Sequence, residues 1–197
     1  MENSCLMLSL AFHTSIDIYN LLDKSDIMED GIERNPHITL LYAKDKEDRI
    51  SKEDILPSIR NILGDDEYLV FLEILKDNYK FKVSELFELS KFENGDSDYL
   101  ILRMKENNEM FKVLSRINKG LMEKYNVISD FDSYKPHMTI AELVPGAAEK
   151  YVSDEKFKLS LSDSKVGIED LVISYGSEFN KLWSITTYHT VDRKSTR

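Results

Sequence analysis

The sequence of 197 residues has little of several residue types that mark particular protein classes. Cys5 is its only cysteine, so an internal disulfide and a cysteine-based zinc site are excluded. No apolar run approaches the roughly 20 residues that a membrane-spanning helix needs. With 42% hydrophobic and 31% charged residues, the balance is that of a globular chain. We therefore expect a cytoplasmic protein without membrane contact, with Cys5 as a buried and inert thiol in a first strand.

Basic residues are also scarce relative to acidic ones. The 26 Lys and Arg residues face 36 Asp and Glu residues, which gives a formal net charge of −10. Binding of long nucleic acids depends mainly on phosphate neutralisation by Lys and Arg. The charge therefore argues against a duplex or long-RNA binder, but it is compatible with a small anionic ligand in a locally basic cleft.

The apolar patterning predicts a chain of alternating strands and helices. A weakly helical stretch is expected at 15–29, a helix between Ser51 and Gly64, an amphipathic helix at 108–125 and a short helix near 146–156. Strands are expected at 5–12, 37–42, 68–75, 81–92, 99–105, 136–143, 157–162, 166–175 and 182–190. Turns at 94–98 and 176–181 would make two hairpins.

The element order in the two halves of the chain is the same. Each half has an apolar strand, a helix, a loop ending in Pro-His, a strand, a short helix and further strands. We interpret this as a duplication within a single domain at 1–197, ending in a flexible tail at 191–197. The predicted fold is α+β, with two pseudo-symmetric lobes that are each an antiparallel sheet with helices outside. An active-site cleft would lie between the lobes, and the two motif strands would be central.

The repeated element is a five-residue motif, PHITL at 36–40 and PHMTI at 136–140. Residues two apart in a strand point to the same face. His37 and Thr39 should therefore project together, as should His137 and Thr139. Two such strands across one cleft would gather two imidazoles and two hydroxyls around a small volume.

That set of groups suits phosphodiester cleavage. A neutral imidazole can remove a proton from an attacking hydroxyl while a protonated one supplies a proton to the leaving oxygen. Both forms are available near neutrality, because the ordinary pKa of histidine is about 6.5. Threonine hydroxyls can donate hydrogen bonds to the non-bridging phosphate oxygens. No carboxylate cluster resembles a magnesium site, so we expect no metal and no cofactor.

The two other histidines test the specificity of this pattern. His13 starts a loose His-Thr-Ser match that lacks the preceding proline and the apolar neighbours, so it is interpreted as structural or as part of the cleft rim. His189 lies close to the polar tail and is expected to be exposed.

At the two motifs the sequence resembles the two-histidine (2H, LigT-like) phosphoesterase superfamily, which carries two His-x-Thr/Ser motifs on duplicated lobes. The resemblance covers nearly the whole chain. It implies that His37 and His137 are the acid and base and that Thr39 and Thr139 bind phosphate. It does not say which histidine is the acid.

Two longer stretches, 31–43 and 135–151, are similar to the phage anti-CBASS group of that superfamily. Such enzymes destroy the cyclic oligonucleotide messengers of bacterial defence, which would place this protein in a host cytoplasm. Ala43 stands where glycine is expected, and Glu142 stands where an aromatic residue is common. Both departures concern the base pocket.

Several residues beside the motifs are candidates for binding the substrate. Tyr134 precedes the second motif and could stack on a base. Trp183 could either pack in the core or stack on a base. Tyr42 is an odd number of steps from His37, so in a regular strand it would point away and pack. Arg34 and Lys135 flank the motifs and could supply a local positive field.

Three functions remain open from the sequence. The first is a phosphodiesterase that cleaves small cyclic oligonucleotides. The second is an enzyme for 2′,3′-cyclic phosphates or 2′,5′-oligoadenylate at RNA ends or in oligonucleotides. The third is a sponge that binds a nucleotide without cutting it, although such a protein needs no acid/base pair. Base preference, ring size and oligomeric state are left open.

Overall fold

The computed structural model describes residues 4–13, 18–43, 50–76, 80–128, 133–175 and 181–184. Within those ranges the strands are β1 (Ser4–His13), β2 (Ile27–Ile32), β3 (His37–Ala43), β4 (Lys80–Lys82), β5 (Phe87–Glu93), β6 (Asp98–Met104), β7 (His137–Leu143), β8 (Lys165–Tyr175) and β9 (Lys181–Ser184). The helices are α1 (Lys52–Leu63), α2 (Asp65–Lys76), α3 (Val83–Leu86), α4 (Glu109–Lys124), α5 (Ala148–Ser153) and α6 (Glu155–Ser162). Two 3-10 turns, Ile18–Leu21 and Lys24–Asp26, precede β2.

The strands form two antiparallel sheets, and each sheet carries one motif. The first sheet has the order β3-β1-β8-β4, with β9 also paired to β8, and the second has the order β2-β7-β6-β5. Helices α2 and α4 pack on the first sheet with α1 against both of them, while α5 packs on β5 and β6 of the second. This arrangement confirms the predicted α+β fold with two lobes.

The lobes are not the two successive halves of the chain. Strand β2, from the first half, pairs with β7 in the second sheet, and β8, from the second half, pairs with β1 in the first. Helix α4 follows a strand of the second sheet but packs against β3. The chain therefore crosses between the lobes several times, and a single apolar cluster includes residues of both sheets.

Two predicted strands are helices. Residues 68–75 lie in α2, which follows Gly64 and has Asp65, Asp66 and Glu67 in its first turn, where acidic side chains favour a helix. Its buried side chains include Phe71 and Leu75, four residues apart. Periodicity alone does not distinguish a short apolar strand from a buried helix.

Residues 157–162 lie in α6 instead of a strand. The side chain of Asp154 accepts a 2.8 Å hydrogen bond from the backbone N–H of Lys156 and so caps this helix. Phe157 and Leu161 are its buried residues. The predicted strand at 81–92 is likewise interrupted, by α3, and the weakly helical stretch at 15–29 gives way to β2.

The remaining element predictions follow the structure closely where it describes them. The helix from Ser51 to Gly64 is α1, and Gly64 ends it with a φ of +81°. The β5–β6 hairpin, α4 and α5 are present. Residues 176–180 and 185–197, which include the predicted turn, His189 and the tail, lie outside the described residues. In the described part of the chain, no helix is long and apolar enough to cross a membrane.

The motif strands differ in their position within the sheets. Strand β7 is flanked by β2 and β6, whereas β3 pairs with β1 alone among the described strands. The prediction that both strands are central is therefore wrong for β3. Backbone carbonyls of this edge strand accept hydrogen bonds from the side chains of Tyr134 and Asn118, and such contacts help to protect an edge strand from further pairing.

Cys5 is buried, as predicted, at 3% exposure. It packs with Met7 and Val172 in a small cluster separate from the main core. Burial raises the pKa of its thiol to about 12, and a contact with the Thr39 hydroxyl opposes that rise. The thiol therefore stays protonated at neutral pH.

Candidate active site

The first motif lies at the start of β3. Ile38 and Leu40 are buried, at 1% and 0% exposure, while His37 and Thr39 remain partly exposed. The alternation follows from the two-residue period of a strand that covers a core on one face. The imidazole and the hydroxyl therefore share the face away from the core.

The second motif repeats this arrangement in β7. Met138 and Ile140 are fully buried, and His137 and Thr139 are partly exposed. The backbone surroundings repeat as well. The carbonyl of Pro36 accepts from the N–H of Leu10 at 2.9 Å, and the carbonyl of Pro136 accepts from that of Met104 at 2.9 Å.

Each motif strand is irregular immediately after its threonine. The register of β3 against β1 shifts between the pairs of Leu41 and Thr39, and that of β7 against β6 shifts between the pairs of Ala141 and Thr139. One extra residue on the motif strand is the mark of a β-bulge. Two consecutive residues, 40 and 41 or 140 and 141, consequently face the core.

Each bulge leaves a carbonyl that finds a partner outside the strand pair that contains the bulge. The carbonyl of Leu40 accepts from the Asn118 side-chain amide of α4 at 2.7 Å. The carbonyl of Ile140 accepts from the backbone N–H of Glu33 at 3.1 Å. Both buried backbone groups are thereby satisfied, which a stable bulge requires.

The bulge brings Tyr42 back to the motif face. Tyr42 is paired with Cys5, and His37 is paired with Ser9. Cys5 and Ser9 are an even number of residues apart in β1, and directly paired residues share a face. The expectation that Tyr42 points away from His37 is therefore wrong, because it assumed a regular strand. Tyr42 is 40% exposed.

Both imidazoles are oriented by the same contact. Nδ1 of His37 is 2.9 Å from the carbonyl oxygen of Asn35, and Nδ1 of His137 is 2.8 Å from that of Lys135. A carbonyl oxygen can only accept, so Nδ1 carries the proton in each contact. Nε2 is left as the nitrogen that can gain or lose a proton.

The second histidine has the more apolar surroundings. The Phe92 ring contacts the His137 imidazole edge to face, with 4.8 Å between ring centroids and an interplanar angle of 80°. Burial lowers the pKa of His137; the hydrogen bond to the Lys135 carbonyl opposes this, and the charge of His37 adds to the lowering. The last effect means that the two imidazoles interact electrostatically, and β3 and β7 are in contact.

Tyr134 joins the two lobes at the site. Its hydroxyl donates to the backbone carbonyl of Thr39 at 2.8 Å, although Tyr134 itself belongs to the segment before β7. Burial raises the pKa of this phenol well above its usual value. The structure thus gives Tyr134 a bridging contact; base stacking by Tyr134 stays a prediction.

The other predicted binding residues lie at different places. Arg34 and Lys135 are exposed beside the motifs. Trp183 lies in β9, where its backbone pairs with Ile173 of β8; its side chain is outside what the structure describes. The backbone of His13 pairs with Lys165 at the far end of β1.

Two features of the site were not anticipated from the sequence. Phe92 and Arg103 both come from the β5–β6 hairpin, and Arg103 is paired directly with His137. The sequence predicts the hairpin itself, but the order of strands in the sheet is needed to bring it beside the second motif. Among the described residues, no group of three or more His, Cys, Asp or Glu is placed to hold a metal ion.

No family model and no curated protein matches this chain. Solved structures that resemble it include that of Usb1 from Kluyveromyces marxianus, which is 10% identical, with a TM-score of 0.45 and coverage of 93% of this chain and 97% of that one. The same protein with uridine monophosphate is 9% identical, with a TM-score of 0.41 and coverage of 91% and 97%.

Proposed function

We propose that this chain is a metal-independent phosphodiesterase of the two-histidine superfamily, with His37 and His137 as its proton-transfer pair. The observation that supports this most directly is the matched orientation of the two imidazoles. Each Nδ1 is held by a backbone carbonyl two residues earlier, which leaves each Nε2 for chemistry. The two rings lie on strands in contact, one from each lobe.

The unequal surroundings support an assignment of roles. Burial against Phe92 lowers the pKa of His137, which favours the neutral ring that accepts a proton. We therefore assign His137 as the base and His37 as the acid. The hydroxyls of Thr39 and Thr139, on the same faces, would donate hydrogen bonds to the non-bridging phosphate oxygens.

For a 3′,5′-linkage the proposed step uses the ribose 2′-hydroxyl as nucleophile. His137 Nε2 takes the hydroxyl proton, the 2′-oxygen bonds to phosphorus, and the bond to the 5′-oxygen breaks as that oxygen takes a proton from His37. An adjacent hydroxyl is favoured over water by its high effective concentration. The product is a 2′,3′-cyclic phosphate, which water can open with the roles reversed. A substrate with hydrogen in place of this hydroxyl should not be cleaved.

The proposed substrates are small cyclic oligonucleotides, the messengers degraded by the anti-CBASS group that stretches 31–43 and 135–151 resemble. The net charge of −10 supports a small ligand over a long RNA. The second candidate is a 2′,3′-cyclic phosphate or a 2′,5′-oligoadenylate. A non-catalytic sponge would not need two imidazoles oriented alike.

The test is turnover of a substrate panel in EDTA, with products identified by mass spectrometry. The panel contains cyclic di- and trinucleotides, 2′,5′-oligoadenylate and nucleoside 2′,3′-cyclic phosphates. Cleavage should persist in the chelator and fall by about 100- to 10,000-fold in His37→Ala and in His137→Ala, because each removes a proton transfer. Nucleotide binding without cleavage would support the sponge. Activity that returns only with added magnesium or manganese would refute the metal-independent mechanism.

A further inference from the structure

A cationic side chain lies directly beside the second histidine. Arg103 of β6 is paired with His137 of β7, and directly paired residues lie on the same face of a sheet. The Arg103 side chain is 42% exposed, so it borders solvent on the motif face. At the equivalent place in the first lobe, His37 is paired with Ser9, which carries no charge.

The guanidinium group of Arg103 is oriented but not fully occupied. Its Nε and Nη2 both contact the same carboxylate oxygen of Glu88, with Nε at 2.9 Å. No described residue accepts from Nη1. The Glu88 side chain is 46% exposed, and a half-exposed pair of this kind is weak. It therefore leaves the guanidinium able to donate to a second anion.

A cavity of about 360 Å³ opens at the same place. Its lining residues are Glu88, Arg103, Lys105, Glu106 and Asn107. The volume falls in the roughly 300–1,000 Å³ range of small-ligand sites. The lining has two cations and two carboxylates, Glu88 being paired with Arg103 and the Lys105 ammonium bonding the Ser84 carbonyl. The Arg103 guanidinium and the Asn107 amide are therefore the donors that this cavity offers to a phosphate group.

We propose that Arg103 and this cavity form a second anion subsite, which binds a phosphate of the substrate other than the one that is cleaved. This rests on the proposed function, in which His37 and His137 act on the first phosphate. Adjacent strands lie about 4.8 Å apart, and the arginine side chain extends beyond its strand. A phosphate bound by Arg103 would therefore be separated from the phosphate at His137 by a distance that suits successive phosphates of an oligonucleotide. The preferred substrate class is then one with at least two phosphates, which favours oligonucleotides over mononucleotide 2′,3′-cyclic phosphates.

The subsite is tested by equilibrium binding, which does not depend on turnover. The probes are the four nucleoside 3′,5′-bisphosphates and the matching 3′-monophosphates, measured by calorimetry. For the bases that bind most tightly, the wild type should bind the bisphosphate about tenfold more tightly than the matching monophosphate. This is the effect expected of one charge-assisted contact. In Arg103→Gln that preference should fall to about twofold or less, and in Glu88→Gln, which frees the guanidinium, it should increase.

The matched control is Arg116→Gln. Arg116 also pairs with a glutamate, Glu67, at similar exposure, but it lies on α4. This variant has the same change in net charge, so it should keep the wild-type preference. The subsite would be overturned if the wild type bound neither probe or showed no preference for bisphosphates over monophosphates. An undiminished preference in Arg103→Gln would overturn it as well. Preference without cleavage of any panel substrate would refute the proposed function and leave the subsite standing.

Discussion

The hydroxyl of Tyr134 donates a 2.8 Å hydrogen bond to the backbone carbonyl of Thr39. One partner precedes the second motif and the other is part of the first. The contact thus joins the two motifs across the lobes, at the edge of β3 that no described strand covers. It ties the placement of the Thr39 hydroxyl to the position of the opposite lobe.

Tyr134→Phe should therefore lower both stability and turnover. Loss of a partner for a buried carbonyl typically costs about 1–3 kcal/mol of stability. Turnover should fall because the motif in β3 would no longer be held at a fixed distance from β7. Thermal unfolding and kcat should be measured together. The control is Tyr151→Phe, which removes a phenol that bonds to Asp26 and to the backbone of Asp23. That variant should lose stability with kcat unchanged; an equal loss of kcat in both would contradict the bridging role.

The pH profile should reflect the lowered pKa of His137. This ring must be neutral to accept a proton, and burial lowers its pKa below the usual value of about 6.5. Activity should therefore persist as the pH falls through 6.5 and decline only below it. Phe92→Ala admits water to the ring, raises the pKa and should move the acid limb of kcat/KM to higher pH.

Phe111→Ala serves as the control for that experiment. Phe111 is a partly buried aromatic residue of α4 that packs against the core. Its loss should reduce stability without moving the acid limb. An acid limb that stays in place in Phe92→Ala would show that His137 is not the group that must be neutral.

The threonine hydroxyls should contribute less than the imidazoles. Thr39→Val and Thr139→Val keep the β-branched shape of a strand residue but remove a hydrogen-bond donor. Each should reduce kcat by about tenfold to a hundredfold, since the lost donor stabilises charge without moving a proton. Thr39→Ser and Thr139→Ser retain the hydroxyl and should recover most of the rate. Serine variants as slow as the valine variants would point to packing in place of phosphate binding.

Residues 1–197 should unfold as one domain. The chain crosses between the lobes at β2, α4 and β8, and the main apolar cluster includes residues of both sheets. Trp183 is the only tryptophan and lies in the first sheet, so its fluorescence reports on one lobe, whereas far-ultraviolet circular dichroism reports on both. The two transitions should coincide in urea. Separate midpoints would mean that the lobes are independent domains.

The sequence predicts the motif strands because their signal is local. In 36–40 and 136–140, residue type and the two-residue period agree, and Pro36 and Pro136 mark where each strand begins. The same holds for α4, whose Asn108 cap and apolar spacing are visible in the sequence.

Features that depend on pairing could not be predicted in this way. Tyr42 faces the site only because of the bulge after Thr39, and a bulge depends on the partner strand. Arg103 becomes a neighbour of His137 only through the order of the second sheet. Residues 68–75 were predicted as a strand because their apolar run suits both a strand and a buried helix.

The pairing of β1 with β8 also determines when each lobe can assemble during synthesis. Strands β2, β5, β6 and β7 have all been made before β8, but the first sheet lacks its central partner until β8 follows. Because both sheets share one apolar cluster, neither histidine would be fixed in place before then. A nascent chain stalled ahead of β8 should therefore remain cleavable by protease in both sheets. Chains that end before β8 should accordingly show no turnover of the proposed substrates.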